Sequence, residues 1–204
     1  VGLALFYGDG LLTPAITVMS AIEGLKVENH AFEPLVVPLS LIILVGLFVV
    51  QNRGSNKLGK LFGPVMVVWF VALAGFGLAS LLRNPVILTA INPLYALDMF
   101  IYAPWVSFVA LGAVVLAVTG CEALYADMGH FGRKPIQYAW LFLALPALVL
   151  NYFGQGAALL RDPSAAAHAF FAPIPQWAHW PMVGLATLVA IIASQAVITG
   201  VFSM

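Results

Sequence analysis

The sequence predicts an all-α, polytopic integral membrane fold. Three observations carry that reading: a composition too apolar for a water-facing surface, six apolar stretches of bilayer-crossing length, and basic residues confined to the connections. The 204 residues are 63% hydrophobic and 8% charged, with a mean hydropathy of +1.04. A soluble domain carries about 25% charged residues, so lipid has to be the main solvent of this chain. The apolar stretches run roughly over 1–25, 35–51, 61–83, 105–128, 136–160 and 180–204. Each is close to the ~20 residues a transmembrane helix needs. None alternates with period two, so helices are expected rather than strands. The second is the shortest, with Pro38 near its start.

All eight Lys and Arg lie in connections or at span ends. Arg53, Lys57 and Lys60 sit between the second and third spans, and Arg133 and Lys134 between the fourth and fifth. The other side carries Lys26, Arg83 and Arg161, offset by Glu23, Glu28, Glu33, Asp98 and Asp162. The excess of short-loop cations places 52–60 and 129–135 in the cytoplasm. The connections 84–104 and 161–179 are then external loops. Tyr102, Trp105, Trp177 and Trp180 are expected at the membrane interface.

The chain begins without Met inside one apolar run and stops inside another, and reads as an internal piece of a longer protein, with no signal-peptide pattern at its start. Zero net charge implies no nucleic-acid partner. Cys121 is the single cysteine, so it reads as packing. The four His show no metal spacing, and no nucleophile–base arrangement suggests an enzyme. No catalytic residue and no cofactor are expected.

Six of the eight acidic residues belong to loops or span ends. Asp9 and Glu122 are the exceptions, each within an apolar span without a basic neighbour in sequence. A charge at a helix centre costs about 2.5–3.5 kcal/mol on insertion scales, so such a residue is a functional candidate. At 100° per residue, Asp9, Thr13, Thr17, Ser20 and Glu23 share one face of the first span. Pro14 has no N–H, which leaves the Gly10 carbonyl without its helical partner. A carboxylate, nearby hydroxyls and a freed carbonyl are the hard oxygen ligands that a partly dehydrated alkali cation needs. The alternative is that the hydroxyls bond back to their own helix, with Asp9 near a cytoplasmic end.

In the fourth span, Thr119-Gly120-Cys121-Glu122 interrupts the apolar run 106–118. Thr119 and Glu122 lie on neighbouring parts of one face, and Gly120 weakens the helix between them. Broken helices that present carbonyls beside a carboxylate form midplane cation sites in transporters. The alternative is an interfacial Glu122 that snorkels outward. Asn151, Tyr152 and Gln155, then Ser194, Gln195 and Thr199, recur at helical spacing and read as interhelical hydrogen-bonding groups.

Four strings carry a resemblance to a known family. They are Phe6-Tyr7-Gly8-Asp9-Gly10-Leu11-Leu12-Thr13-Pro14-Ala15-Ile16 with its continuation to Leu25, the segment from Ala117 to Gly132, Leu150-Asn151-Tyr152-Phe153-Gly154-Gln155-Gly156, and Ile192-Ala193-Ser194-Gln195-Ala196-Val197-Ile198. Together they resemble the Kup/HAK/KT potassium uptake transporters, in matching order over nearly the whole chain. The resemblance implies a member of the amino acid–polyamine–cation superfamily with a LeuT-type inverted-repeat fold of about twelve spans, of which this chain supplies the third to the eighth. It implies secondary K+ uptake across a bacterial plasma (inner) membrane, with H+ as symported ion and a homodimer left open. The cation site it implies takes Asp9 and Thr13 from one span and Thr119 and Glu122 from another, with Thr17 a weaker member. Asp9 and Glu122 are the proton-coupling candidates. An amino-acid permease of the same superfamily is the alternative within transport. Two intramembrane carboxylates favour a cation over an amino acid. A channel or a structural membrane subunit is the alternative outside it; no Thr-Val-Gly-Tyr-Gly filter occurs.

Overall fold

A computed structural model describes residues 2–28, 30–51, 59–117 and 132–202, without the side chains of 2–7, 9, 27, 28, 30, 50, 51, 59–61, 116, 117 and 199–202. Every regular element among them is helical. The main helices are α1 (Gly2–Glu28), α2 (Glu33–Gln51), α3 (Gly59–Arg83), α4 (Leu94–Tyr102), α5 (Pro104–Ala117), α6 (Arg133–Ala139), α7 (Leu145–Arg161) and α8 (His179–Phe202). Three stretches are long and apolar enough to cross a membrane: Phe62–Arg83, Arg133–Arg161 and Gln176–Ile198. The apolar parts of α2 and α5, Glu33–Val49 and Pro104–Val115, are shorter. Thr119 and Glu122, like most of both basic loops, lie outside the described residues.

α6 and α7 form one rod joined by a π-helical turn, Trp140–Ala144, in which the Leu145 N–H donates to the Trp140 carbonyl. Its position has a covalent cause. Pro146 offers no N–H and its ring presses on the carbonyl four residues back, and a widened turn just ahead of it relieves that clash.

The connection 84–104, read from the sequence as an external loop, is largely helical. A 3-10 helix spans Pro85–Ile91 and α4 follows, the two bent by 79°. The Asn92 carboxamide oxygen accepts from the Leu94 N–H at 3.1 Å and so opens α4. The buried Ser107 hydroxyl closes the corner into α5, 2.9 Å from both the Met99 and the Ala103 carbonyls. Leu94, Leu97 and Ile101 stay exposed. Tyr102, at 84% exposure, and Trp105 do as well. Trp177 and Trp180 are also exposed, while their rings reach Phe76 and Phe32 edge-on at 6.3 and 6.0 Å.

Two packed units organise the rest. In one, α1 lies against α8 and α2, with Val18, Ile22, Val36, Leu47 and Ile198 as its core. In the other, α3 lies against α7 with their backbones in contact. A Cβ added at Gly154 would meet the Gly77 Cα at 2.5 Å and its carbonyl oxygen at 2.6 Å, and one added at Gly77 would collide with the Leu150 carbonyl. The close approach is latched by polar groups. The Ser80 hydroxyl donates to the Gly154 carbonyl at 2.8 Å, Arg161 donates to Ser80 at 3.4 Å, and Asn84 reaches the Ala157 carbonyl at 3.5 Å. Contacts advance together along both helices, from Gly77 with Leu150 to Asn84 with Ala157, so α3 and α7 run parallel. Small residues that let helices approach, locked by interhelical hydrogen bonds, are the usual means of association where lipid removes the hydrophobic drive.

Candidate functional site

The described half of the sequence-predicted site lies on α1. Pro14 is inside the helix and fully buried. Gly10, whose carbonyl loses its helical donor to Pro14, is buried too. Thr13 and Thr17 are half-buried, whereas Ser20 and Glu23 are exposed. The side chain of Asp9 is outside the described set, so the structure gives the surroundings of that position and not its carboxylate.

What faces this stripe follows from one contact. A Cβ on Gly24 would meet Val183 Cγ2 at 3.0 Å. Gly24 lies near the end of α1 and Val183 near the start of α8, and the helices remain packed beyond that point, so they run antiparallel. Eleven residues bring an α-helix round to within about 20° of the same direction, roughly 16 Å further along. Going back eleven from Gly24 gives Thr13, and going on eleven from Val183 gives Ser194. By this ideal count the two positions fall at the same level of the α1–α8 seam. Thr17 is level with buried Ala190 by the same count.

Ser194 is 1% exposed, and its hydroxyl has no hydrogen-bond partner. Two other helix hydroxyls bond back to their own carbonyls: Ser40 to Val36 at 2.7 Å, and Thr187, on α8 itself, to Val183 at 2.8 Å. Sequence reasoning gave Ser194 only a share in interhelical hydrogen bonding. No sequence signal separates a hydroxyl that bonds back from one that does not. Gln195 is also buried and points about 100° away from Ser194.

The polar face of α1 leads at its far end into a cavity of about 390 Å³, lined by Ser20, Glu23, Gly24, Lys26 and the segment 166–171. Lys26 pairs there with Glu23 at 3.4 Å and with Glu33 at the start of α2 at 3.7 Å. The polar positions of α1 thus run from the Gly10 carbonyl past half-buried Thr13 and Thr17 to exposed Ser20 and Glu23 at the cavity, with buried Ser194 on the adjoining α8. Neutral oxygens suit a monovalent cation, which needs replacement ligands for water but must not be held tightly; the Glu23 carboxylate at the cavity is paired with Lys26.

Long apolar helices packed through small residues and interhelical hydrogen bonds define a multi-pass α-helical membrane protein. The chain belongs to the family described as "K+ potassium transporter integral membrane domain", which matches residues 1–204. It is 57% identical over 203 residues to "Probable potassium transport system protein Kup 3" of Dechloromonas aromatica, covering 100% of this chain and 32% of that protein. It is 59% identical over 203 residues to "Probable potassium transport system protein Kup 1" of Paramagnetospirillum magneticum, again 100% and 32%. The Kup protein of Myxococcus xanthus is 57% identical over 203 residues, with 100% and 31% covered. The chain spans about a third of the length of the curated relatives it matches. No solved structure matches it.

Proposed function

We propose that the protein to which this chain belongs takes up K+ across the bacterial cell membrane, with H+ as the symported partner, and that Asp9, Thr13, Thr119 and Glu122 hold the cation, with Thr17 beside them. Asp9 and Glu122 are the candidates for carrying the proton, and a LeuT-type inverted repeat is the architecture proposed for the whole. The observation that carries this reading is the oxygen file on α1, half-buried at Thr13 and Thr17 in a helix whose other described faces are largely apolar, within a chain of the potassium transporter family.

Rb+ uptake by the full-length protein in cells lacking other K+ uptake tests it. Uptake is expected, and a protonophore is expected to collapse it. Uptake that a protonophore leaves unchanged removes the H+ coupling, and no uptake removes the reading. In the same assay Glu122→Gln is expected to abolish most uptake at normal membrane expression, because the charge that offsets cation dehydration in a low-dielectric interior is gone. Near-normal uptake would return Glu122 to an interfacial role.

We also propose that 52–60 and 129–135 face the cytoplasm. The parallel course of α3 and α7 supports it, since the α3 end at Gly59 and the α6 end at Arg133 then lie on one side. Single cysteines at Ser55 and Lys134 are expected to resist a membrane-impermeant thiol reagent in intact cells and to react in inverted vesicles. Labelling of either in intact cells overturns the orientation. On this orientation the cavity at Glu23 opens outward, at the entrance to the path.

A further inference from the structure

We infer that Ser194 of α8 is a ligand of the transported cation, its hydroxyl oxygen completing the shell begun by α1 at the level of Thr13. The inference rests on the K+ transport reading above and adds to it a helix and a residue that it does not contain.

Ser194 lies deep in the protein with its hydroxyl oxygen sealed from solvent and unbonded. A buried hydroxyl without a partner is destabilising, and in an apolar span the remedy is close at hand: rotation to the carbonyl four residues back, as Thr187 does about two turns earlier on α8. Ser194 does not take that rotamer. The bearing of its Cα–Cβ bond is fixed by the helix. It shares within about 20° the bearing of Val183, which touches Gly24 of α1, so the side chain leaves α8 on the side packed against α1, and its burial keeps it from lipid.

On α1, the same stretch contains the buried Gly10, whose carbonyl Pro14 has deprived of a donor. By helical count Gly10 and Ser194 belong to one stretch of the seam; the proline removes the Gly10 carbonyl's helical donor, and the Ser194 hydroxyl has no partner. A water molecule could bridge them, but a cation engages the lone pairs of both at once. For a dehydrating K+ the lone pairs of a hydroxyl and a carbonyl are the ligands it exchanges for water, and neither carries a charge that would trap it.

The test uses the full-length protein in the Rb+ uptake assay. Ser194→Ala is expected to raise the apparent KM for Rb+ roughly three- to tenfold, the effect of losing one neutral contact, with maximal rate and membrane level within about twofold of wild type. Ser194→Thr, which keeps the hydroxyl, is expected to stay near the wild-type KM. Ser194→Cys, close in size but a poor ligand for a hard cation, is expected to behave as alanine does, and it decides the matter if alanine fails to reach the membrane. A structural role predicts the reverse pattern. Removing an unmet hydroxyl would then raise the melting temperature of the purified protein and leave KM unchanged, and that result overturns the assignment of Ser194 while wild-type uptake stands. Absence of Rb+ uptake by the wild type would overturn the transport reading itself, and this inference with it.

Discussion

Asp9→Asn in the full-length protein is expected to lower K+ uptake by orders of magnitude, while Thr13→Val lowers apparent K+ affinity by only about three- to tenfold. The contrast follows from what each side chain supplies. Asparagine keeps the size of Asp9 but removes the charge that compensates a cation stripped of water, and charge interactions weigh most in a low-dielectric interior. Valine keeps the shape of Thr13 and deletes one neutral oxygen, worth about 0.5–1.5 kcal/mol net. Thr13 is half-buried, and in the proposed site its loss leaves other oxygens in place. If Asp9 carries the proton rather than the cation, Asp9→Asn abolishes proton-driven accumulation and spares K+ binding, which a direct binding measurement separates. Intact binding together with intact proton-coupled uptake would remove Asp9 from the proposed site.

Gly77→Ala is expected to prevent accumulation of stably folded protein. The added methyl falls on the Leu150 carbonyl and beside the Asn151 N–H. These are backbone atoms and cannot rotate away. Overpacking against movable side chains costs about 1–3 kcal/mol; here α3 and α7 must separate instead, and the Ser80–Gly154 hydrogen bond stretches with them. The expected readout is loss of the monodisperse peak in detergent, or a large fall in melting temperature where some protein survives. Gly75→Ala, with open space at its Cβ, is the control two residues away and is expected to be mild. Equal behaviour of the two variants would mean that the helices do not meet at Gly77.

How much of this was legible in the sequence divides along a physical line. Features set by one helix were readable. The composition named the solvent, and the 100° rotation per residue puts Thr13 and Thr17 on one face of α1 whatever surrounds that helix. Features set by the register between helices were not. That Gly24 of α1 meets Val183 of α8 is a matter of register, which no local pattern encodes. Gly77 and Gly154 stood in the sequence as ordinary glycines of apolar spans; only their juxtaposition makes them a crossing point. α4 was missed because a nine-residue helix between Pro85 and Pro104 looks like a connection, and its opening signal, the Asn92 side chain, also marks loops. Glu122 and Thr119 were read from sequence and lie outside the described residues, so they stand as proposals.

The π turn at Trp140–Ala144 bears on any helical wheel drawn through this protein. A π turn holds one residue more than the α-helix would at that height, so the rod from Arg133 to Arg161 is two wheels offset by about 100°. Asn151 and Gly154, buried on the α7 side, keep their phase with one another but lose it with Gln137 and Tyr138. The end at Arg133 can thus turn its basic pair, Arg133 and Lys134, in a direction that packing against α3 does not dictate. A single-residue deletion within the turn would bring the two wheels into step, swinging that pair about a quarter of the way round the axis without touching the glycine crossing below it.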